Sequence, residues 1–291
     1  MTKKSAPTVA IVTAADMPKP DLDIADLGKC LKHAGVDISI LPWDSDARWD
    51  AFDLVFVKST WDYFERLPEF LEWANKTSKI TRLESPSNVI AWNADKRYLE
   101  HLQCRCVPTI PTSFVAPWSD NSCIQNILDQ FQSKEIVIKP AISIGAIGAL
   151  RVSASDLSAF SHIRSLLDDG HVLIQPFVSS VLDEGEISLV YFNGQFSHAV
   201  RKLPSKGEYR VQDHYGGKVH PFLPTSAELA VADAALAAAP AVTLIARVDL
   251  VMIGGAPHVI ELELIEPALF LSSNALATSR LVAAISERIA S

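Results

Sequence analysis

IARVDLVMIGGAPHVIELELIEP, residues 245–267, reads as two apolar-rich strands joined at Gly254-Gly255-Ala256. Side chains alternate across a strand, so Glu261 and Glu263 share one face. Leu262 and Leu264 take the other face, toward a core. Asp249 lies on the preceding strand, and an odd loop length at the Gly-Gly-Ala turn places it opposite Glu261 or Glu263. Three carboxylates converging in an apolar sheet repel one another unless a positive group sits between them. A hard divalent cation, Mg²⁺ with Mn²⁺ as the alternative, takes carboxylates together with phosphate oxygens. Read alone, Glu-Leu-Glu is also the pattern of an amphipathic strand with a wet face.

Outward from this hairpin the chain keeps an antiparallel character. EISLVYFNGQFSHAVRK (186–202) has an Asn-Gly turn at 193–194 between two alternating runs, a strong hairpin signal. LPSKGEYRVQDHYGGKVHPFLP (203–224) reads as a long polar loop, of the kind that is functional or mobile. An Ala-rich helix over 226–239 precedes the last hairpin, and a helix follows it.

The middle of the chain supplies cations and a glycine loop. Lys139 ends the apolar strand 135–140, and SIGAIGA (143–149) follows, with Gly145 and Gly148. Backbone amides of such a loop, with one or two lysines, hold a polyphosphate, although the P-loop pattern is absent. Lys96, Lys202 and Arg210 are further candidate cations; each is also an ordinary surface charge. HVLIQPFV (171–178) is an apolar extended segment that can sandwich an adenine at Gln175, Phe177 and Val178. The acidic run that follows, ending at Glu186, can accept from ribose hydroxyls. An ordinary core strand explains 171–178 equally. Residues 93–102 read as one helix, 106–117 as an extended proline-rich passage, and 119–132 as a helix.

At the N-terminus, apolar runs at 9–15, 36–43 and 52–60 enclose a helix over 23–35, ended by Gly35. Strand, helix, strand is the signature of a parallel α/β sheet, which binds ligands beyond the carboxyl ends of its strands. The third run ends in Ser59-Thr60-Trp61-Asp62-Tyr63, which therefore stands where a substrate can lie; the alternative is a loop packed on its own domain. A helix over 68–75 follows.

Composition bounds the rest. The chain has 291 residues, a net charge of −8 and 48% hydrophobic residues, enough apolar content to exclude disorder as the main state. The acidic balance argues against nonspecific binding to nucleic acid or anionic membranes. No apolar run approaches a membrane span. The basic start at residues 1–5 precedes a stretch better read as a strand than as a secretion signal. Cys30, Cys104, Cys106 and Cys123 form no disulfide framework and no metal spacing, as reduced cytoplasmic thiols would.

The order of these weak signals is more specific than any one of them: lysine in a helix, lysine at a strand end, glycine loop, apolar hinge, acid, arginine loop, Asp, Glu-x-Glu. In this order the chain resembles the ATP-grasp ligases of the glutathione-synthetase-like branch, over roughly residues 86–280. Asn93-Ala94-Asp95-Lys96 resembles the family's entry helix, and Ile138-Lys139-Pro140 its phosphate-binding lysine strand. SIGAIGA resembles its phosphate loop, Gln175-Pro176-Phe177-Val178 its adenine hinge and Glu186 its ribose-binding acid. Lys206-Gly207-Glu208-Tyr209-Arg210 resembles its substrate loop. Asp249 and Glu261-Leu262-Glu263 resemble its metal ligands, with Glu263 where the family usually has Asn. Residues 59–63, 92–96 and 261–271 resemble more narrowly a subgroup that includes the D-cycloserine synthetases, which close O-ureido-D-serine into a ring.

The resemblance implies an α/β ATP-grasp fold in three parts: a Rossmann-like domain (1–85), a linker helix and lid subdomain (86–178), and a mostly antiparallel core (179–291). It implies ATP and Mg²⁺, an acyl phosphate, and attack by a nitrogen nucleophile on an amino-acid-like substrate. Arg210 and Lys202 take catalytic roles; Lys96, Lys139, Gly145, Gly148, Gln175, Phe177, Val178 and Glu186 bind ATP; Asp249, Glu261 and Glu263 bind metal. Trp61, Asp62, Tyr63 and Glu266 are the expected substrate contacts. A ligase joining an amino acid or peptide to a separate amine is the main alternative, and a non-catalytic nucleotide-binding module the remote one. A homo-oligomer stays open.

Overall fold

A computed structural model describes residues 6–17, 21–132 and 134–291; the basic start at 1–5 lies outside them. The N-terminal segment runs β1 (Thr8–Thr13), α1 (Leu22–His33), β2 (Asp37–Pro42), β3 (Leu54–Ser59), α2 (Leu67–Thr77) and β4 (Leu83–Glu84). Its strands form a parallel sheet in the order β2-β1-β3-β4. Asp21 caps α1 by accepting from the Asp23 amide at 2.9 Å. Gly35, at φ +80°, stops it. The apolar stripe of α1, with Leu27 and Leu31, is buried, contributing roughly 1.5–3 kcal/mol per side chain.

Next come α3 (Ser87–Asn93), α4 (Tyr98–Cys104), β5 (Ser113–Val115), α5 (Asn121–Gln130), β6 (Glu135–Pro140), β7 (Leu150–Ser153), α6 (Leu157–Leu167) and β8 (Val172–Pro176). The single helix expected over 93–102 is two helices with a turn between them. Tertiary hydrogen bonds outcompete helix continuity there: the Lys96 amide donates to the Ala141 carbonyl at 2.9 Å, and the Asn93 side chain is engaged by a distant strand. The four strands form an antiparallel sheet, β5-β8-β6-β7. Along β6, Ile136 and Ile138 face the helical side, packing with Ile124 and Ile163. Val137 and Lys139 face the opposite side, toward a pocket.

The last segment holds α7 (Ser180–Asp183), β9 (Glu186–Phe192), β10 (Gln195–Leu203), β11 (Lys218–Phe222), α8 (Ser226–Ala237), β12 (Ile245–Ile253), β13 (Ala256–Glu263) and α9 (Ala277–Ala290). The sheet is antiparallel throughout, β11-β10-β9-β12-β13. The stretch 203–224 is thus not all loop, because residues 218–222 pair with β10. Pro221 is tolerated there because β11 is an edge strand. α9 returns to pack between α1 and the antiparallel sheet, joining the first and last segments. No helix among the described residues is long and apolar enough to cross a membrane.

The β12–β13 hairpin corrects one expectation. Its loop has two residues, Gly254 and Gly255, both left-handed at φ +59° and +79°, so its length is even. From Ile253 opposite Ala256 the register runs to Leu250 opposite Val259, then slips, so that Asp249 faces Glu261. Ile260 is the extra residue of a β-bulge. The bulge, not the turn, supplies the parity that puts Asp249 and Glu261 on one face.

Candidate active site

The metal-type oxygens of Asp249, Glu261 and Glu263 lie within 4.8 Å of one another. Arg247 is two residues before Asp249 and opposite Glu263. Its guanidinium donates to Asp249 at 2.9–3.1 Å and to Glu263. Lys202 lies between Glu186 and Asp249, 3.5 Å from the latter. Lys96 is 3.4 Å from Glu261 and donates to the Ser143 carbonyl. Ser188 Oγ donates to Asp249 at 2.5 Å.

These neighbours give the three acids different characters. Burial opposes ionisation of Asp249, but Arg247, Lys202 and Ser188 prevail and hold its pKa at about 2. Burial likewise opposes ionisation of Glu261, and Lys96 and Lys139 bring it below the ordinary value. At Glu263 burial wins over Arg247, aided by the charges of Glu261 and Asp249, and the carboxyl is pushed up to about 7. Burial lowers the pKa of Lys139 despite Glu261 and raises that of Glu186 despite Lys202. Three convergent carboxylates form an all-oxygen, anionic donor set that fits a hard divalent cation.

Side-chain clamps fix this strand. Asn93 accepts from the Leu264 amide at 2.7 Å and donates to the Leu262 carbonyl at 2.8 Å. Tyr98 Oη accepts from the Leu262 amide at 2.9 Å. The turn that splits the expected helix thereby holds the strand that carries Glu261 and Glu263, and presents Lys96 to Glu261.

A pocket opens beside the carboxylates, between the β5-β8-β6-β7 sheet and the antiparallel one. Lys96, Lys139 and Glu261 line one end, and Phe177, Val178 and Ile260 the apolar end. Gln175 and Glu186 also line it; the Gln175 amide donates to Thr112 Oγ1 at 2.9 Å. Gly145, at φ +58°, is on the wall. Gly148 is not: its φ of +74° turns the chain so close to Pro140 that a Cβ would approach the ring to 2.9 Å. Tyr209, from the 204–217 loop, meets Phe177 edge-on at 6.0 Å. The Tyr209 hydroxyl and Gln212 Oε1 are buried beside this pocket without hydrogen-bond partners among the described residues, a fit for the polar groups of a nucleotide.

Two expected residues are placed differently. Arg210 lines the pocket, but its guanidinium pairs with Glu208 at 2.6 Å and stacks on Tyr215 at 3.6 Å. The arginine that reaches the carboxylates is Arg247, which the sequence reading missed. Its signal was the two-residue spacing to Asp249, which puts both on one face. Asp62 accepts from Trp43 Nε1 at 2.9 Å and so serves its own domain. Trp61 is half-buried. Tyr63 is buried and stacked on Phe70, with ring centroids 5.1 Å apart. Burial raises its pKa, with Glu266, Glu263 and Glu261 adding to the effect, so the phenol and Glu266 share the field of the metal-type acids.

The family model described as the prokaryotic glutathione synthetase ATP-grasp domain matches residues 102–267. The one described as the N-terminal domain of D-cycloserine synthetase DcsG matches residues 9–84. The chain belongs to the ATP-grasp ligases. The cycloserine biosynthesis protein DcsG of Streptomyces lavendulae is 35% identical over 303 residues, covering 97% of this chain and 98% of that protein. The crystal structure of D-cycloserine synthetase DcsG is similar with a TM-score of 0.88 and 33% identity, covering 97% of this chain and 99% of that one. A D-alanine–D-alanine ligase from Bacillus anthracis complexed with ATP has a TM-score of 0.72 at 16% identity over 98% of each chain, which speaks for the shared fold alone. As an ATP-grasp ligase the chain is an ATP-dependent enzyme that forms a C–N bond.

Proposed function

We propose that this ligase closes O-ureido-D-serine into D-cycloserine, using one organic substrate and ATP. The observation that carries the reading is the likeness to the cycloserine protein across the whole chain, the substrate-side N-terminal segment included. The functional units follow the division 1–85, 86–178 and 179–291, with ATP between the second and third.

The chemistry begins with the substrate carboxylate. One of its oxygens attacks the γ-phosphorus, giving an acyl phosphate and ADP. The nitrogen bonded to the side-chain oxygen then attacks the acyl carbon and expels phosphate. A water molecule then attacks the carbamoyl carbon; the bond to the ring nitrogen breaks, that nitrogen keeps a proton, and the carbamic acid released falls apart to CO2 and ammonia. Little covalent chemistry falls to the protein; positioning and charge neutralisation carry phosphoryl transfer. Lys96 and Lys139 hold the phosphates, while Gln175, Phe177 and Val178 hold the adenine, with Glu186 as the ribose acid. Asp249, Glu261 and Glu263 would hold Mg²⁺, which supplies charge neutralisation at the phosphate oxygens. Arg247 and Lys202 keep Asp249 ionised for that purpose. Arg210 and the 204–217 loop cover the reacting groups and exclude water, which would hydrolyse the acyl phosphate. A cytoplasmic setting, where ATP is at hand, accords with this reading.

Incubation with Mg²⁺, ATP and O-ureido-D-serine alone should release ADP and the cyclic product. Glu261→Gln should abolish ADP release while circular dichroism stays native. ADP release that requires a second amine would replace cyclisation by condensation. Full activity of Glu261→Gln would remove that residue from the site.

A further inference from the structure

Glu266 follows the metal-type acids by three residues yet stands apart from them. Its carboxylate is not among the oxygens that cluster within 4.8 Å. It has no hydrogen bond or ion pair among the described residues. Burial pushes its pKa well above the ordinary value, and the charge of Glu263 adds to this. The nearby cations are Lys58 and Arg247, and both are committed elsewhere. Lys58 is 1% exposed, 2.6 Å from Asp21 and 4.0 Å from Asp23. Arg247 is shared by Asp249 and Glu263. An ionised Glu266 therefore has no hydrogen-bonded protein partner, so burial favours its neutral form until a ligand brings a cation.

Tyr63 points to the same place independently. It is 7% exposed, and its hydroxyl has no hydrogen-bond partner among the described residues. The ring is fixed by stacking on Phe70, in a cluster that also contains Ile265, the neighbour of Glu266. Tyr63 follows β3 at the carboxyl end of the parallel sheet, where ligands of such sheets lie. A fixed phenol and an unpaired carboxylate, bordering three acids that hold phosphate chemistry, suit a small organic cation rather than a second metal.

We propose that Glu266, with the Tyr63 hydroxyl accepting a second hydrogen bond, binds the α-ammonium group of the amino acid whose carboxylate is phosphorylated. This deepens the ligase reading and rests on it. The α-nitrogen does not react in that scheme and must not compete as a nucleophile. Pairing with Glu266 keeps it protonated, with no lone pair to offer, so only the ureido nitrogen meets the acyl phosphate. Substrates are thereby limited to those with a free α-amine.

The test compares O-ureido-D-serine with its analogue lacking the α-amino group, in wild type, Glu266→Gln and Tyr63→Phe, by ADP release. Loss of the charge partner should raise KM for the amino acid on the order of 100-fold, with KM for ATP and the melting temperature near wild type. The desamino analogue should be poor with wild type and no poorer with Glu266→Gln, because its partner is already missing. Tyr63→Phe should raise KM by roughly 3- to 10-fold, the cost of one hydrogen bond. A KM for the amino acid that Glu266→Gln leaves near wild type, or an equal penalty on both substrates, overturns the ammonium site while the ligase stands. Absence of ADP release by wild type with any α-amino acid overturns the ligase reading and this site with it.

Discussion

Glu263 is an acid of the site whose ionisation the fold opposes. Its pKa is pushed from an ordinary 4.5 up to about 7, by burial and by the neighbouring Glu261 and Asp249. Such a displacement corresponds to about 3 kcal/mol for a fully dry group. The side chain is 30% exposed, and water screens part of this, leaving about 1–3 kcal/mol. The sign follows from proton counting. Between the two values the folded protein holds a proton that the unfolded chain has released, so stability falls as pH rises through that window and the loss is complete above about pH 7. Glu263→Gln cannot ionise and should lack this slope. Urea denaturation without Mg²⁺ or nucleotide, at about pH 5 and about pH 8, measures it: wild type should lose stability relative to the variant by about 1–3 kcal/mol. Other carboxyl groups titrate in both proteins and largely cancel. Parallel pH profiles for the two proteins would refute the reasoning and return Glu263 to an ordinary carboxylate.

Arg247→Ala should leave the buried Asp249 and the half-buried Glu263 without their shared partner. Destabilisation of about 3–5 kcal/mol by urea denaturation is expected, together with loss of ADP release in whatever protein remains folded. Gly217→Ala should deform the 204–217 loop, because a Cβ there would come within 1.9 Å of the Val211 carbonyl oxygen; KM for ATP should rise in a steady-state assay, and the melting temperature should fall, because Val211 is buried in a small cluster with Ile110, Val181 and Val251.

Most of the elements are legible locally. β6 spans the expected 135–140. The turn at Asn193-Gly194 follows from two residues that accept left-handed backbone. The order of Lys96, Lys139, Glu186, Asp249 and the Glu261–Glu263 pair along the chain pointed to phosphate chemistry, because such a site gathers its groups from several elements. The surroundings of Gly148 and Asp62 were not legible, since nothing local foretells that the one runs close to Pro140 and the other accepts from Trp43.

Sequence alone thus determined the strands, the hairpins and the inventory of charged groups, because alternation and turn chemistry act over a few residues. Tertiary structure decided how those groups are wired. The parity that aligns Asp249 with Glu261 comes from the Ile260 bulge and not from the loop. The break before Lys96 comes from a hydrogen bond to Ala141 across the fold. The guanidinium that joins the acids is Arg247, because Arg210 is held by Glu208. Each outcome is a competition between partners far apart in the chain, settled by which buried charge or backbone group would otherwise go unpaired.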